Sequence, residues 1–183
     1  MTLCLTLEGC IFVVGAAAGA AAVAAVYDHR TIERTLEDTQ IANTITERLK
    51  TASSASWDQS HIEVTTFHHV VLLSGETPYA SYRAQAEHIA QSVRNVARVY
   101  NQITVQNPTS SLTRTSDTWI TTKIKTQMLA NEELKSGNIK VVTENGTVFL
   151  MGIVSRSQAD IAVDIAKEAS GVQRVVKVFQ YKE

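Results

Sequence analysis

Apolar residues recur at every fourth position in two places: Ile41, Ile45 and Leu49, and again Ile120, Ile124 and Met128. That spacing lays three side chains along one stripe of an α-helix, so each run predicts a helix with a single buried face. Two short apolar segments around a tight turn follow each helix. They are HIEVTTF and VVLLSGET about His68-His69, and IKVVTE and TVFLMGIV about Asn145-Gly146. Asn-Gly is the strongest short hairpin signal because both residues tolerate positive φ, whereas His-His is a poorer turn former. Gly75 and Gly152 close the second strand of each pair. Alanine-rich segments from Tyr79 to about Val93 and from Ser155 to about Ser170 predict a second helix able to lie close to a sheet. The β-branched runs VARVYNQITV and VQRVVKVFQY predict a last strand.

The two halves are one unit written twice. Ile62, Val64, Val71, Leu73 and Gly75 align with Ile139, Val141, Val148, Leu150 and Gly152, and Val96, Arg98 and Val99 with Val172, Arg174 and Val175. The offset drifts only from 79 residues at Ile41/Ile120 to 76 at Ala86/Ala162. The expected fold class is α+β: two tandem αββαβ domains, each a three-stranded mixed sheet with two helices against one face. The first is expected over residues 28–106 and the second over 117–183. Residues 107–116, within NPTSSLTRTSD, read as a linker.

Ahead of the first domain, CIFVVGAAAGAAAVAAVY (Cys10 to Tyr27) carries no charge, and the charge-dense DHRTIERTLED follows at once. The run is near the lower length limit for a membrane span, but Ala and Gly bury little apolar area. LTLEGC, with Leu three residues before Cys10 and Gly immediately before it, looks like a bacterial lipobox, although Glu8 departs from the usual small residue. On this reading residues 1–27 are a lipoprotein leader and Ala/Gly-rich segment, and Cys10 receives the lipid. Nine residues without Lys or Arg are too few for a basic region and apolar core, so the leader is expected to begin upstream of Met1. The other reading is a short membrane or signal segment with an incidental cysteine. Ile11 stands where an Asp would signal inner-membrane retention, which favours the outer membrane.

Composition narrows the function by exclusion. The chain is 44% hydrophobic and 19% charged, as globular proteins are. Residues 1–113 hold 7 Lys+Arg against 10 Asp+Glu, and residues 114–183 hold 10 against 8. That balance lacks the basic stripe of a nucleic-acid protein but makes the second half the better candidate to meet an anionic surface. Cys4 and Cys10 are the only cysteines, so the body has no disulfide framework. His29, His61, His68, His69 and His88 lack metal-ligand spacing, and no nucleophile elbow, P-loop or dinucleotide fingerprint occurs. No cofactor, no metal and no enzymatic activity are expected. Trp57 reads as core of the first domain, His68-His69 as an exposed turn, and Tyr79, Tyr82 and Tyr100 as candidates for an inter-domain contact.

Two αββαβ units, each with an apolar strand ending in glycine and a later V-x-R-V segment, resemble the BON domain family. DTWITTKIKTQML, VTENGTVFLMGIVSR and SGVQRVVKVF, together with LEGC, are similar to its dual-domain outer-membrane lipoproteins. The resemblance implies a protein tethered by acyl chains to the periplasmic face of the outer membrane. It implies binding of anionic phospholipid such as phosphatidylglycerol by the first helix of the second domain, and support of envelope integrity near the division site. It places an exposed tryptophan on that helix, here Trp119. On a helical wheel of about 100° per residue, Lys123 and Thr126 fall within about 40° of Trp119 and Thr122 and Leu129 within about 80°, while Ile120, Ile124 and Met128 cluster about 100–180° away. The expected phospholipid-binding residues are therefore Trp119, Lys123, Thr122, Thr126 and Leu129, with Asp117 or Ser116 capping the helix. The residues alone leave a second reading, in which Trp119 packs between the domains or under the linker. The runner-up function is a periplasmic protein-interaction or stress-response, chaperone-like module with an envelope protein partner. Haemolysin-like membrane damage is a weaker third.

Overall fold

In the computed structural model, residues 29–182 are described. The repeat appears as expected. Helix α1 (His29–Ala52) and a short α2 (Ser54–Asp58) lead into the hairpin β1 (His61–Phe67) and β2 (Val70–Thr77), followed by α3 (Ala80–Gln91), β3 (Arg98–Asn101) and β4 (Thr104–Val105). The second copy is α4 (Ser111–Ala130), a 3₁₀ turn (Ser136–Asn138), β5 (Ile139–Glu144), β6 (Thr147–Val154), α5 (Arg156–Glu168) and β7 (Arg174–Tyr181).

Each sheet is mixed. β1 pairs antiparallel with β2, which carries β3 and β4 in parallel; β5 pairs antiparallel with β6, which carries β7 in parallel. The third strand of the first copy is interrupted. Asn101 accepts a hydrogen bond from the Ile103 N–H through Oδ1 (3.2 Å) and donates through Nδ2 to the Arg83 carbonyl (3.0 Å), and Ile103 turns into the core. Both hairpins close through left-handed turns, His68-His69 at φ 50 and 63 and Asn145-Gly146 at φ 45 and 69. The His-His turn is half-buried rather than exposed, and the His69 ring Nε2 lies 2.9 Å from Glu37. Gly75 and Gly152 are required for close approach, since a Cβ at either would collide with the carbonyl of His61 or Asn138 across the hairpin.

One core lies between each sheet and its helices. Ile41, Ile45 and Leu49 pack with Val71, Leu73, Tyr82 and Ala86 in the first domain. Ile120, Ile124 and Met128 pack with Val148, Leu150, Ala159 and Ala162 in the second. A third core joins the opposite faces of the two sheets: Val70 and Leu72 with Val142, Phe149, Met151 and Val178, flanked by Phe67, Tyr100 and Val176. Every residue of β2 is buried. A strand covered on both faces reads as a continuous apolar run rather than an alternating one, which is why VVLL and VFLM show no period of two. Of the three tyrosines expected between the domains only Tyr100 is there. Tyr82 is buried in the first core with its hydroxyl donating to the Leu49 carbonyl (2.8 Å), and Tyr79 packs against that same core. Trp57 sits half-buried on α2 against the first core with the Lys50 ammonium 5.7 Å from its ring centroid.

Candidate membrane-facing helix

Helix α4 begins earlier than expected. Ser110 is its N-cap, accepting the Thr113 N–H (3.3 Å) in the manner that satisfies an orphan helix donor, so residues 111–116 are helix and not linker. Neither Ser116 nor Asp117 is the cap. Asp117 is buried, and its carboxylate oxygens accept the N–H groups of Asn145 (2.8 Å) and Gly146 (2.9 Å). Asp38 does the same in the first domain for His68 (2.7 Å) and His69 (2.8 Å). The overlooked signal is an aspartate three residues before the first isoleucine of each stripe.

With Asp117, Ile120, Ile124 and Met128 turned inward, the opposite side of α4 faces out. Trp119 is 56% exposed, which rules out packing between the domains or under the linker. Leu129 (77%) and Leu112 (79%) are also exposed. Leu112 was missed because residues 107–116 read as linker; its spacing of seven from Trp119, two helical turns, would have revealed it. The Lys123 ammonium lies 5.2 Å from the Trp119 ring centroid, within cation–π range, and donates to Ser170 Oγ (3.0 Å). Ser170 opens the turn after α5. Gly171 (φ +92) presses that turn on α4, where an added Cβ would lie 2.9 Å from Ile120 Cδ1. The turn thus seats the lysine beside the indole.

Thr122 and Thr126 are exposed, and their hydroxyls donate to the carbonyls of Thr118 and Thr122, each at 2.9 Å. These two hydroxyl donors are satisfied within the helix. The expected residues are not one patch. Trp119 and Lys123 are in contact, Thr122 borders a groove shared with Lys125 and the first domain, and Leu129 borders a hollow beside the loop from Asn131 to Asn138. Cys10 lies outside the described residues. Among the described residues no group of three His, Cys, Asp or Glu is placed to hold a metal, and no helix is long and apolar enough to cross a membrane.

Two copies of one mixed-sheet domain, joined back to back with their helices on the outer faces, define the class. The chain belongs to the BON domain family, whose model matches residues 37–107 and 116–183. It is 35% identical over 176 residues to the outer membrane lipoprotein DolP of Haemophilus influenzae, across 96% of this chain and 90% of that protein. It is also similar to a 21 kDa hemolysin of Actinobacillus pleuropneumoniae (39% identity, 68% of this chain and 64% of that one) and to the osmotically-inducible protein Y of Escherichia coli (34%, 62% and 58%).

Proposed function

We propose that this chain is a non-enzymatic envelope lipoprotein, anchored through Cys10 at the periplasmic face of the outer membrane. Its second BON domain rests on anionic phospholipid such as phosphatidylglycerol and supports outer-membrane integrity near the division site. The observation that carries the reading is the exposed Trp119 with the Lys123 ammonium over its ring, on a helix that also leaves Leu112 and Leu129 uncovered. An indole suits the headgroup region, where its ring meets apolar chains and its N–H meets water. A lysine near an anionic leaflet contributes about 1 kcal/mol. The likeness to an outer membrane lipoprotein supports the location.

The test is binding of the full chain and of Trp119→Ala to vesicles with and without phosphatidylglycerol. Inserting the exposed half of an indole, roughly 100 Å² of apolar area, is worth about 2 kcal/mol, so the substitution is expected to weaken binding on the order of thirtyfold. The melting temperature is expected to stay nearly unchanged, because an exposed substitution costs within about 0.5 kcal/mol. A large stability loss with unchanged vesicle binding overturns the reading. Binding to envelope proteins with no vesicle binding favours the interaction module instead.

A further inference from the structure

The sheet-to-sheet interface changes character along its length. Side chains of alternate residues on β2 face the second domain, running from Val70 and Leu72 to Ser74 and Glu76, and all four are buried. β5 passes β1 in the opposite direction: the Lys140 ammonium donates to the Thr66 carbonyl (3.4 Å), while Glu144 Oε2 lies 3.9 Å from His61 Nε2. The apolar end of the contact is therefore continued by an end rich in carboxylates, drawn from both domains.

Glu144 sits at the centre of that end. It is 7% exposed, and its Oε1 has no hydrogen-bond partner. Around it stand His61 and Glu63 from β1, Glu76 from β2, Arg114 and Asp117 from α4 and Arg174 from the start of β7, while Lys125 and Lys140 line the same groove. The carboxylates among them only add repulsion, and among the described residues His61 alone comes within ion-pair distance, at 3.9 Å. Asp117 is committed to the Asn145-Gly146 turn, Arg114 is held by the Thr109 carbonyl (2.7 Å), and Glu76 accepts the N–H and hydroxyl of Thr109 (3.3 and 3.4 Å). An ionised carboxylate in this place would be buried beside other carboxylates, with Oε1 unbonded and only the His61 imidazole 3.9 Å from Oε2, a costly arrangement for a side chain.

We propose that this end of the interface is a proton-operated latch: the two domains dock with Glu144 neutral, and loss of its proton releases the contact there. A groove of about 630 Å³ on one side of Glu144 and a cavity of about 330 Å³ on the other give water a route to the charge once it forms. Burial, then the charges of Glu76, Asp117 and Glu63, push the Glu144 carboxyl up from 4.5 to about 8 against the opposing pull of Arg114. The docked state then holds more protons than the undocked state between those two values. Docking is at full strength below the lower value and weakens as pH rises through the window, by up to about tenfold per pH unit, levelling off above the upper one.

The experiment uses the full chain. The carbon-13 shift of the Glu144 carboxyl is followed from pH 4 to pH 9, with hydrogen exchange of β1 and β5, corrected for the intrinsic pH dependence, measured over the same range. Wild type is expected to titrate far above the ordinary carboxylate range and to lose protection of β1 and β5 as pH rises, while the Ala159–Ala166 core of α5 stays protected. Glu144→Gln is expected to abolish the pH dependence of that protection, and Glu76→Gln to move its midpoint to lower pH. An ordinary titration of Glu144, constant wild-type protection, or the same slope in Glu144→Gln overturns the latch. Should Glu144→Gln fail to fold, the wild-type titration and Glu76→Gln still decide.

Discussion

Asp117 holds the N–H groups of Asn145 and Gly146, as Asp38 holds those of His68 and His69. Both residues of each turn have positive φ, a conformation that leaves successive N–H groups converging on one point. A buried carboxylate there satisfies two donors and ties the first helix to the hairpin tip. Hydrogen bonds to a charged group contribute about 1.5–3 kcal/mol each, and losing one partner leaves the other unsatisfied. Asp117→Ala is therefore expected to cost roughly 3 kcal/mol and to lower the melting temperature of the second domain, with Asp38→Ala acting likewise on the first. Calorimetry checks both, and a change below about 0.5 kcal/mol would refute the clamp. The residue's type and its place before each stripe were visible in the chain, but its burial and its partners, 28 and 29 residues away, were not.

Helix α4 is where sequence pattern and function meet. Its core stripe was readable because Ile120, Ile124 and Met128 repeat the first copy, and Trp119 stood out because it breaks the repeat. Its start was not readable: the Ser/Thr-rich SSLTRTS resembles a loop, since such side chains bond local backbone and favour caps and turns. In the fold Ser110 caps instead, and Thr115, Thr118, Thr122 and Thr126 return their hydroxyls to carbonyls one turn back. The exposed face thereby gains two more turns and Leu112. If the whole face meets lipid, Leu112→Ser and Leu129→Ser should each weaken vesicle binding, by an amount set by roughly 1.5 kcal/mol of lost leucine burial at most. The lysine contribution should fade as salt shortens the Debye length from about 10 Å at 0.1 M to about 3 Å at 1 M. Flotation across a salt series measures both, and salt-independent binding would exclude Lys123 as a contributor.

At the scale of the whole molecule the two domains share a core that neither has alone. Met151 (1% exposed) and Phe149 (2%) from β6 pack with Leu72 of β2 across it. Met151→Ala is expected to cost about 2–5 kcal/mol, the usual penalty for emptying a core site. Because the lost contacts are between domains, the expected signature in calorimetry is a single transition separating into two. A single, merely lower transition would place Met151's role within the second domain instead. The interface also explains why Glu76 and Glu144 are buried at all: each lies on the strand face that the apolar stripe commits to the other sheet.

The chain by itself determined the elements, the repeat and the core stripes, because helical and strand periods are local and each copy corroborates the other. The Cys10 leader and the choice of Trp119 were also argued from residues, the latter with the help of family resemblance. Only the tertiary structure decided what covers the second face of each sheet, since a continuous apolar run says that both sides are buried but not by what. It alone turned Asp117 from a cap into a clamp and seated Lys123 against the Trp119 ring through Ser170. It alone gathered His61, Glu63, Glu76 and Glu144 from two domains. Contacts between residues far apart in sequence depend on how the sheets pack, and no local pattern encodes that.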